Sequence, residues 1–83
     1  MASRVTYRAT VESDLRRLDK PTARRVLDKL EHALSASPDA GTPLVGEFRG
    51  LFRYRVGDYR VIYTKTSEGV LVLRIGHRKN VYR

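Results

Sequence analysis

The chain of 83 residues contains no cysteine. That absence excludes a disulfide framework and thiolate metal sites, so the fold has to rest on an apolar core, aided where needed by a partner. Long apolar runs are missing too, which excludes a transmembrane helix and a secretory signal and predicts one small soluble domain over residues 1–83, cytoplasmic and without a membrane partner. Internal repeats and low-complexity stretches are also absent. The third scarcity is acid. Residues 49–83 hold only Asp58 and Glu68 against nine Lys and Arg, whereas residues 1–48 hold seven acids against eight bases. Of the formal charge of +8, residues 49–83 therefore carry +7. Such concentration is the electrostatic footprint of a phosphate-rich partner; nucleic acid leads, with a membrane surface or an acidic protein behind it.

What is present is organised around Phe52-Arg53-Tyr54-Arg55-Val56-Gly57-Asp58-Tyr59-Arg60-Val61-Ile62-Tyr63. Apolar and polar residues alternate on both sides of Gly57-Asp58, and glycine suits a two-residue turn that needs positive φ at its first central position. With that turn, Val56 lies opposite Tyr59, Arg55 opposite Arg60 and Tyr54 opposite Val61. Phe52, Tyr54, Val56, Tyr59, Val61 and Tyr63 then share one face, and Arg53, Arg55 and Arg60 the other. Directly opposed like charges destabilise a sheet unless an anion lies between or above them, so the pattern points to an anion site. The alternative for each arginine is a solvated side chain that serves only solubility.

Around this hairpin, Arg4-Val5-Thr6-Tyr7-Arg8 alternates as a short strand. Thr10 is a plausible N-cap for a first helix carrying Val11, Leu15 and Leu18, and Asp19-Lys20-Pro21 ends it and starts a second. Ala23, Val26, Leu27, Leu30, Ala33 and Leu34 form the apolar stripe of that second helix, with His32 solvated on its other side. From Ser35 to Gly50 the punctuation is that of a loop, with Arg49 adding a cation near its end. After the polar turn Lys65–Gly69, Val70–Ile75 is the central strand candidate. Strict alternation puts Leu71, Leu73 and Ile75 on one side, and Arg74, Gly76 and Arg78 on the side of the arginine face. The sum is an α+β fold, β-α-α-β-β-β, with two N-terminal helices packed on one face of a small antiparallel sheet and the other face free.

The two acids of the basic half both fall in predicted turns, which speaks against a metal centre and against metal-dependent nuclease chemistry. RNA is then the better substrate, because its 2′-hydroxyl supplies the nucleophile. In-line positioning, charge stabilisation at phosphorus and proton transfer to the leaving 5′-oxygen are still required. Arginines provide the second but serve poorly as proton donors or acceptors. Tyr82 and His77 are the candidates for that task. An arginine-rich surround favours the phenolate of Tyr82; His77 has an imidazole suited to neutral pH, but its parity directs it toward the packed side, where a structural role is the competing reading. Tyr54, Tyr59 and Tyr63 read as core aromatics with wet hydroxyls.

Leu15-Arg16-Arg17-Leu18, Pro43-Leu44-Val45-Gly46, the stretch Leu51 to Tyr63 and the ending Ile75-Gly76-His77-Arg78-Lys79-Asn80-Val81-Tyr82 together resemble the RelE toxins of the RelE/ParE superfamily. The resemblance implies a ribosome-dependent mRNA endoribonuclease that needs no cofactor, cuts mRNA in the ribosomal A site by 2′-hydroxyl attack and is neutralised by a cognate antitoxin, with which it would also meet operator DNA. Position by position, Arg60 matches the arginine that stabilises the transition state, Arg78 the one near the leaving group, and Tyr82 the C-terminal tyrosine that orients or activates the nucleophile. Arg53 and Arg55 stand where well-known members carry lysines, which makes them better phosphate clamps and poorer proton acceptors and leaves the general base open. Arg49 and Arg74 complete the expected RNA-binding set. The chain stops one residue after Tyr82, so inhibition by displacement of a C-terminal helix is not expected. The alternative within the superfamily is a ParE-like toxin that inhibits DNA gyrase by protein binding, without nuclease activity.

Overall fold

A computed structural model of the chain describes residues 3–77. In chain order the elements are β1 (Arg4–Tyr7), α1 (Ala9–Arg16), α2 (Lys20–Ala36), β2 (Thr42–Pro43), a 3-10 turn (Gly46–Phe48), β3 (Leu51–Val56), β4 (Tyr59–Lys65) and β5 (Gly69–His77). The five strands form one sheet in the order β1-β5-β4-β3-β2, with both helices on one side. The α+β architecture expected from the sequence is the one observed, with two additions. β1 runs parallel to β5, pairing Val5 with Val70 and Tyr7 with Val72, which makes the sheet mixed. A two-residue strand, β2, emerges from the stretch read as loop; its Pro43 is tolerated because β2 is an edge. Among the described residues no helix is long and apolar enough to cross a membrane.

The second helix forms as its stripe predicts. Val26, Leu30 and Leu34, one helical turn apart, are fully buried, and Leu27 packs beside them. Asp19 is the N-cap: its carboxylate accepts hydrogen bonds from the Thr22 amide at 3.3 Å and hydroxyl at 2.7 Å, and these bonds hold its pKa below the usual carboxylate range. Pro21 sits in the first turn, where its missing N–H costs nothing. At eight residues, α1 is too short to persist by itself and depends on tertiary contacts. Its N-cap is Arg8 rather than Thr10, and without a side-chain cap. Thr10 lies inside the helix and donates its hydroxyl to the Leu73 carbonyl at 2.9 Å.

Between helices and sheet lies a core of Val11, Val26, Leu30, Leu34, Val56, Val61, Tyr63, Val70, Val72 and Ile75. Each such side chain contributes roughly 1.5–3 kcal/mol on burial. Strict alternation predicts Leu71 and Leu73 in this core together with Ile75. Val70 and Val72 are buried instead, while Leu71 and Leu73 are half-buried. The cause is a β-bulge. Tyr63 pairs with Val72 and Ile62 with Arg74, so Leu73 is an extra residue on β5. The inward side chains are even-numbered before the bulge and odd-numbered after it.

Tyr63 departs from the expectation of a wet hydroxyl. Its ring is 0% exposed and stacks on Phe52 at 5.4 Å between centroids, and its hydroxyl donates to the Pro38 carbonyl at 2.7 Å and accepts from the Gly41 amide at 2.9 Å. Burial pushes its pKa up. The phenol thus ties the α2–β2 connection to the middle of the sheet. Tyr63→Phe removes both bonds and leaves two backbone groups unpaired, at an expected cost of about 1–3 kcal/mol. The check is a lowered denaturant midpoint with an unchanged slope.

Candidate functional site

The β3–β4 hairpin closes at Gly57-Asp58 with Gly57 at φ +59°, and its register pairs Val56 with Tyr59, Arg55 with Arg60 and Tyr54 with Val61. The turn chemistry and alternation described above thus place each side chain on its expected face. Phe52, Tyr54 and Tyr59 pack against the core, and Arg53, Arg55 and Arg60 project from the face without helices.

Cross-strand register orders that open face into rows. Nearest the turn lie Arg55, Arg60 and Gly76; next come Thr42, Arg53, Ile62 and Arg74; farther along are Leu51, Thr64, Leu71 and Thr6. Positive charge is therefore gathered at the hairpin end, and the far end is apolar and hydroxylic. Ile62 is only 4% exposed although it lies outside the helix-side core. Its register neighbours Arg53 and Arg74 have aliphatic stems suited to covering it while their heads stay in water.

Arg55 and Arg60 are directly opposed, which places two cationic side chains on Cβ atoms roughly 5 Å apart. Arg55 folds back, donating its Nε–H to the Gly57 carbonyl at 3.1 Å. Arg60 differs: among the described residues its Nε is buried and has no hydrogen-bond partner. Leaving a buried donor unpaired costs on the order of 1–3 kcal/mol. On its other flank stands Gly76, which has no side chain to crowd the guanidinium. This combination suits an anion with several acceptor oxygens, such as a phosphate.

Arg74 projects beside this group but is already engaged. Its Nε and a terminal nitrogen donate to the two carboxylate oxygens of Asp14 at 2.9 and 3.1 Å. That pairing raises its pKa, and the side chain remains 38% exposed. Arg49 is exposed and precedes β3 at the end remote from the turn, so the fold does not bring it to Arg55 and Arg60. His77 pairs with Tyr59 and meets its ring edge-on at 6.0 Å, on the face its parity predicts, and is exposed there at the end of β5. Arg78 and Tyr82 lie outside the described residues.

Asp58 occupies the hairpin turn and Glu68 the β4–β5 turn, at opposite ends of the seven-residue β4 and so about 20 Å apart at strand rise. Among the described residues no group of three or more His, Asp or Glu is placed to hold a metal ion. Asp14 is the site residue that sequence reasoning missed. It was nonetheless signalled: an acid at position 14 shares the helix face of Val11, Leu15 and Leu18, where an unpaired carboxylate would be costly.

A sequence model of the ParE toxin of type II toxin-antitoxin systems matches residues 5–82. Among solved structures, the toxin-antitoxin complex RelBE2 from Mycobacterium tuberculosis contains a similar chain with 31% identity and a TM-score of 0.86, covering 96% of this chain and 95% of that one. The RelE-RelB complex from Pyrococcus horikoshii matches at 29% identity and TM-score 0.65 over 98% and 100% of the two chains. Isolated RelE from E. coli shares the fold at 22% identity and TM-score 0.69, over 92% of this chain and 84% of that one. No curated protein matches the sequence.

Proposed function

The chain belongs to the ParE toxin family of type II toxin-antitoxin systems, and from its arginine face we propose that it is a metal-independent endoribonuclease that arrests translation by cutting mRNA in the ribosomal A site. The observation that carries this reading is Arg60: a guanidinium whose buried Nε has no partner among the described residues, opposed by Arg55 and flanked by Gly76. In the proposed reaction the 2′-oxygen forms a bond to phosphorus and the bond to the 5′-oxygen breaks. The proton of the 2′-hydroxyl leaves to a base, and one is delivered to the departing 5′-oxygen. Charge accumulates on the non-bridging oxygens as this happens; in this reading Arg60 meets it while Arg53 and Arg55 hold neighbouring phosphates. Arg78 and Tyr82 enter through the family resemblance alone, as the groups near the leaving oxygen and the nucleophile, with His77 an alternative for proton transfer.

The partner follows from the relatives. RelBE2 and the Pyrococcus horikoshii RelE were solved in complex with antitoxins, and an antitoxin partner is assigned to this chain on that ground. Operator DNA would be met through the same complex, and the cytoplasm, where ribosomes are, is the compartment the reading requires.

A second reading, gyrase inhibition through protein binding, is favoured by the family description, which is that of ParE. Pulse-labelling after induction separates the two. The nuclease reading expects translation to fall first, with new mRNA 5′ ends inside codons of translated messages. Loss of DNA synthesis first, an SOS response and intact mRNA would overturn it in favour of gyrase.

A further inference from the structure

Beyond Val72, β5 has no strand beside it on the β1 side among the described residues, since the β1–β5 register ends at Tyr7 and Val72. The chain turns into α1 there, and polar groups at the start and along the first turns of α1 take the place of a strand. The Arg8 amide donates to the Val72 carbonyl at 2.9 Å, the Thr10 hydroxyl to the Leu73 carbonyl at 2.9 Å, and the Asp14 carboxylate accepts the Ile75 amide at 2.9 Å. The spacing explains why this works. Thr10 and Asp14 are four residues apart, about 6 Å along a helix, and Leu73 and Ile75 are two apart, about 6.6 Å along a strand.

Asp14 holds three donors at once: the Ile75 amide and two nitrogens of Arg74. These donors lie just past the extra residue Leu73, where the inward side of β5 changes from even to odd positions. Asp14 is 6% exposed, and taking a carboxylate out of water cancels much of what its ion pair returns. Replacing both Asp14 and Arg74 by apolar residues would serve stability about as well, apart from the Ile75 amide, which would lose its acceptor. Geometry is what an apolar residue could not supply. With the bulge in place, Ile75 returns to the core and Gly76 stands opposite Arg60 on the open face; without it, Gly76 would turn toward the helices and displace Ile75 from the core.

We infer that Asp14 is a positioning residue: by fixing the bulge through Arg74 and the Ile75 amide, it keeps Ile75 in the core and sets Gly76 opposite Arg60 on the open face. Its effect on catalysis rests on the nuclease reading; its effect on strand register does not.

The full-length protein is compared as wild type, Asp14→Asn and Asp14→Ala, with two readouts. The first is the NMR cross-strand contact between Gly76 and Arg60, together with hydrogen exchange at the Ile75 amide. The second is cleavage of mRNA on programmed ribosomes, resolved into kcat and KM and corrected for folded fraction. Asp14→Ala is expected to lose the Gly76–Arg60 contact and to expose the Ile75 amide while exchange at Leu30 and Val61 stays slow. Its kcat should fall about 100-fold, as a displacement of about 1 Å at a reacting centre does, with KM within about threefold. Asp14→Asn, whose side-chain oxygen still accepts from Ile75, is expected to keep the contact and to lie between the two in rate. Retention of the contact in Asp14→Ala overturns the inference, as does its loss with kcat unchanged. Should the wild type cut no RNA, the nuclease reading fails separately. Growth arrest by Asp14→Ala, equal to wild type or lost, then decides the inference.

Discussion

Gly69→Ala is expected to leave the protein largely unfolded at ordinary temperature. Gly69 opens β5 at φ +155° and pairs with Arg4, the first residue of β1. A Cβ there would stand 2.1 Å from the Arg4 carbonyl oxygen and 2.6 Å from its amide nitrogen. Both are backbone atoms, and the Arg4 amide is itself bonded to the Glu68 carbonyl at 3.0 Å, so neither can swing aside as a side-chain tip could. Overpacking of this kind costs about 1–3 kcal/mol and the backbone conformation a further 1–3 or so. Together they approach the whole stability of a small domain, at the lower end about 5 kcal/mol. Gly57→Ala is the control. Its φ of +59° also disfavours a side chain, but nothing lies within 4 Å of the added methyl, and a loss of only about 1–2 kcal/mol is expected. Equal denaturation midpoints for the two variants would show that the β1–β5 contact is looser than described.

The second large effect is on chemistry and runs opposite to stability. Arg60→Ala is expected to reduce mRNA cleavage on programmed ribosomes by about 10²–10³, the loss typical when one preorganised donor at a developing charge is removed. The same substitution removes a buried donor without a partner among the described residues and the like charge facing Arg55, so its melting temperature should equal or exceed that of wild type. Arg53→Ala and Arg55→Ala are expected to act mainly on KM, by about tenfold each, as phosphate clamps would. Cleavage by Arg60→Ala within about threefold of wild type would remove Arg60 from the proposed mechanism, whatever the melting temperature.

How much of this could be read from the amino acids depends on how far each feature reaches along the chain. The Arg55–Arg60 pairing was legible because one glycine and strict alternation fix a hairpin within a dozen residues, and the structure reproduces the register pair by pair. The buried face of α2 was legible for the same reason, since Val26, Leu30 and Leu34 repeat within one element. The face assignment of β5 was not. Val70 to Ile75 is apolar at nearly every position, so alternation carries no signal there, and the bulge at Leu73 depends on Asp14 some 60 residues earlier. Nor does any local pattern fix the direction of β1, whose partner is the last strand. Within the candidate site, the three arginines of the hairpin were legible as a group. The engagement of Arg74 was not, because its carboxylate comes from a helix on the other side of the molecule's sequence.

The place of β5 between β1 and β4 also sets the order in which the molecule can come into being. Arg4 finds its partner at Gly69, and the core residues of β5 are needed by strands on both sides of it. While the chain is being synthesised, helices and the β3–β4 hairpin can form, but the sheet stays divided until residue 77 is free of the ribosome. Closing so long a loop late is slow compared with forming helices, in the millisecond-to-second range of folds rich in non-local pairs. The arginine face therefore lacks its Gly76 flank until β5 has joined the sheet. Until then the chain carries the basic charge of residues 49–65 without the geometry that frames Arg60.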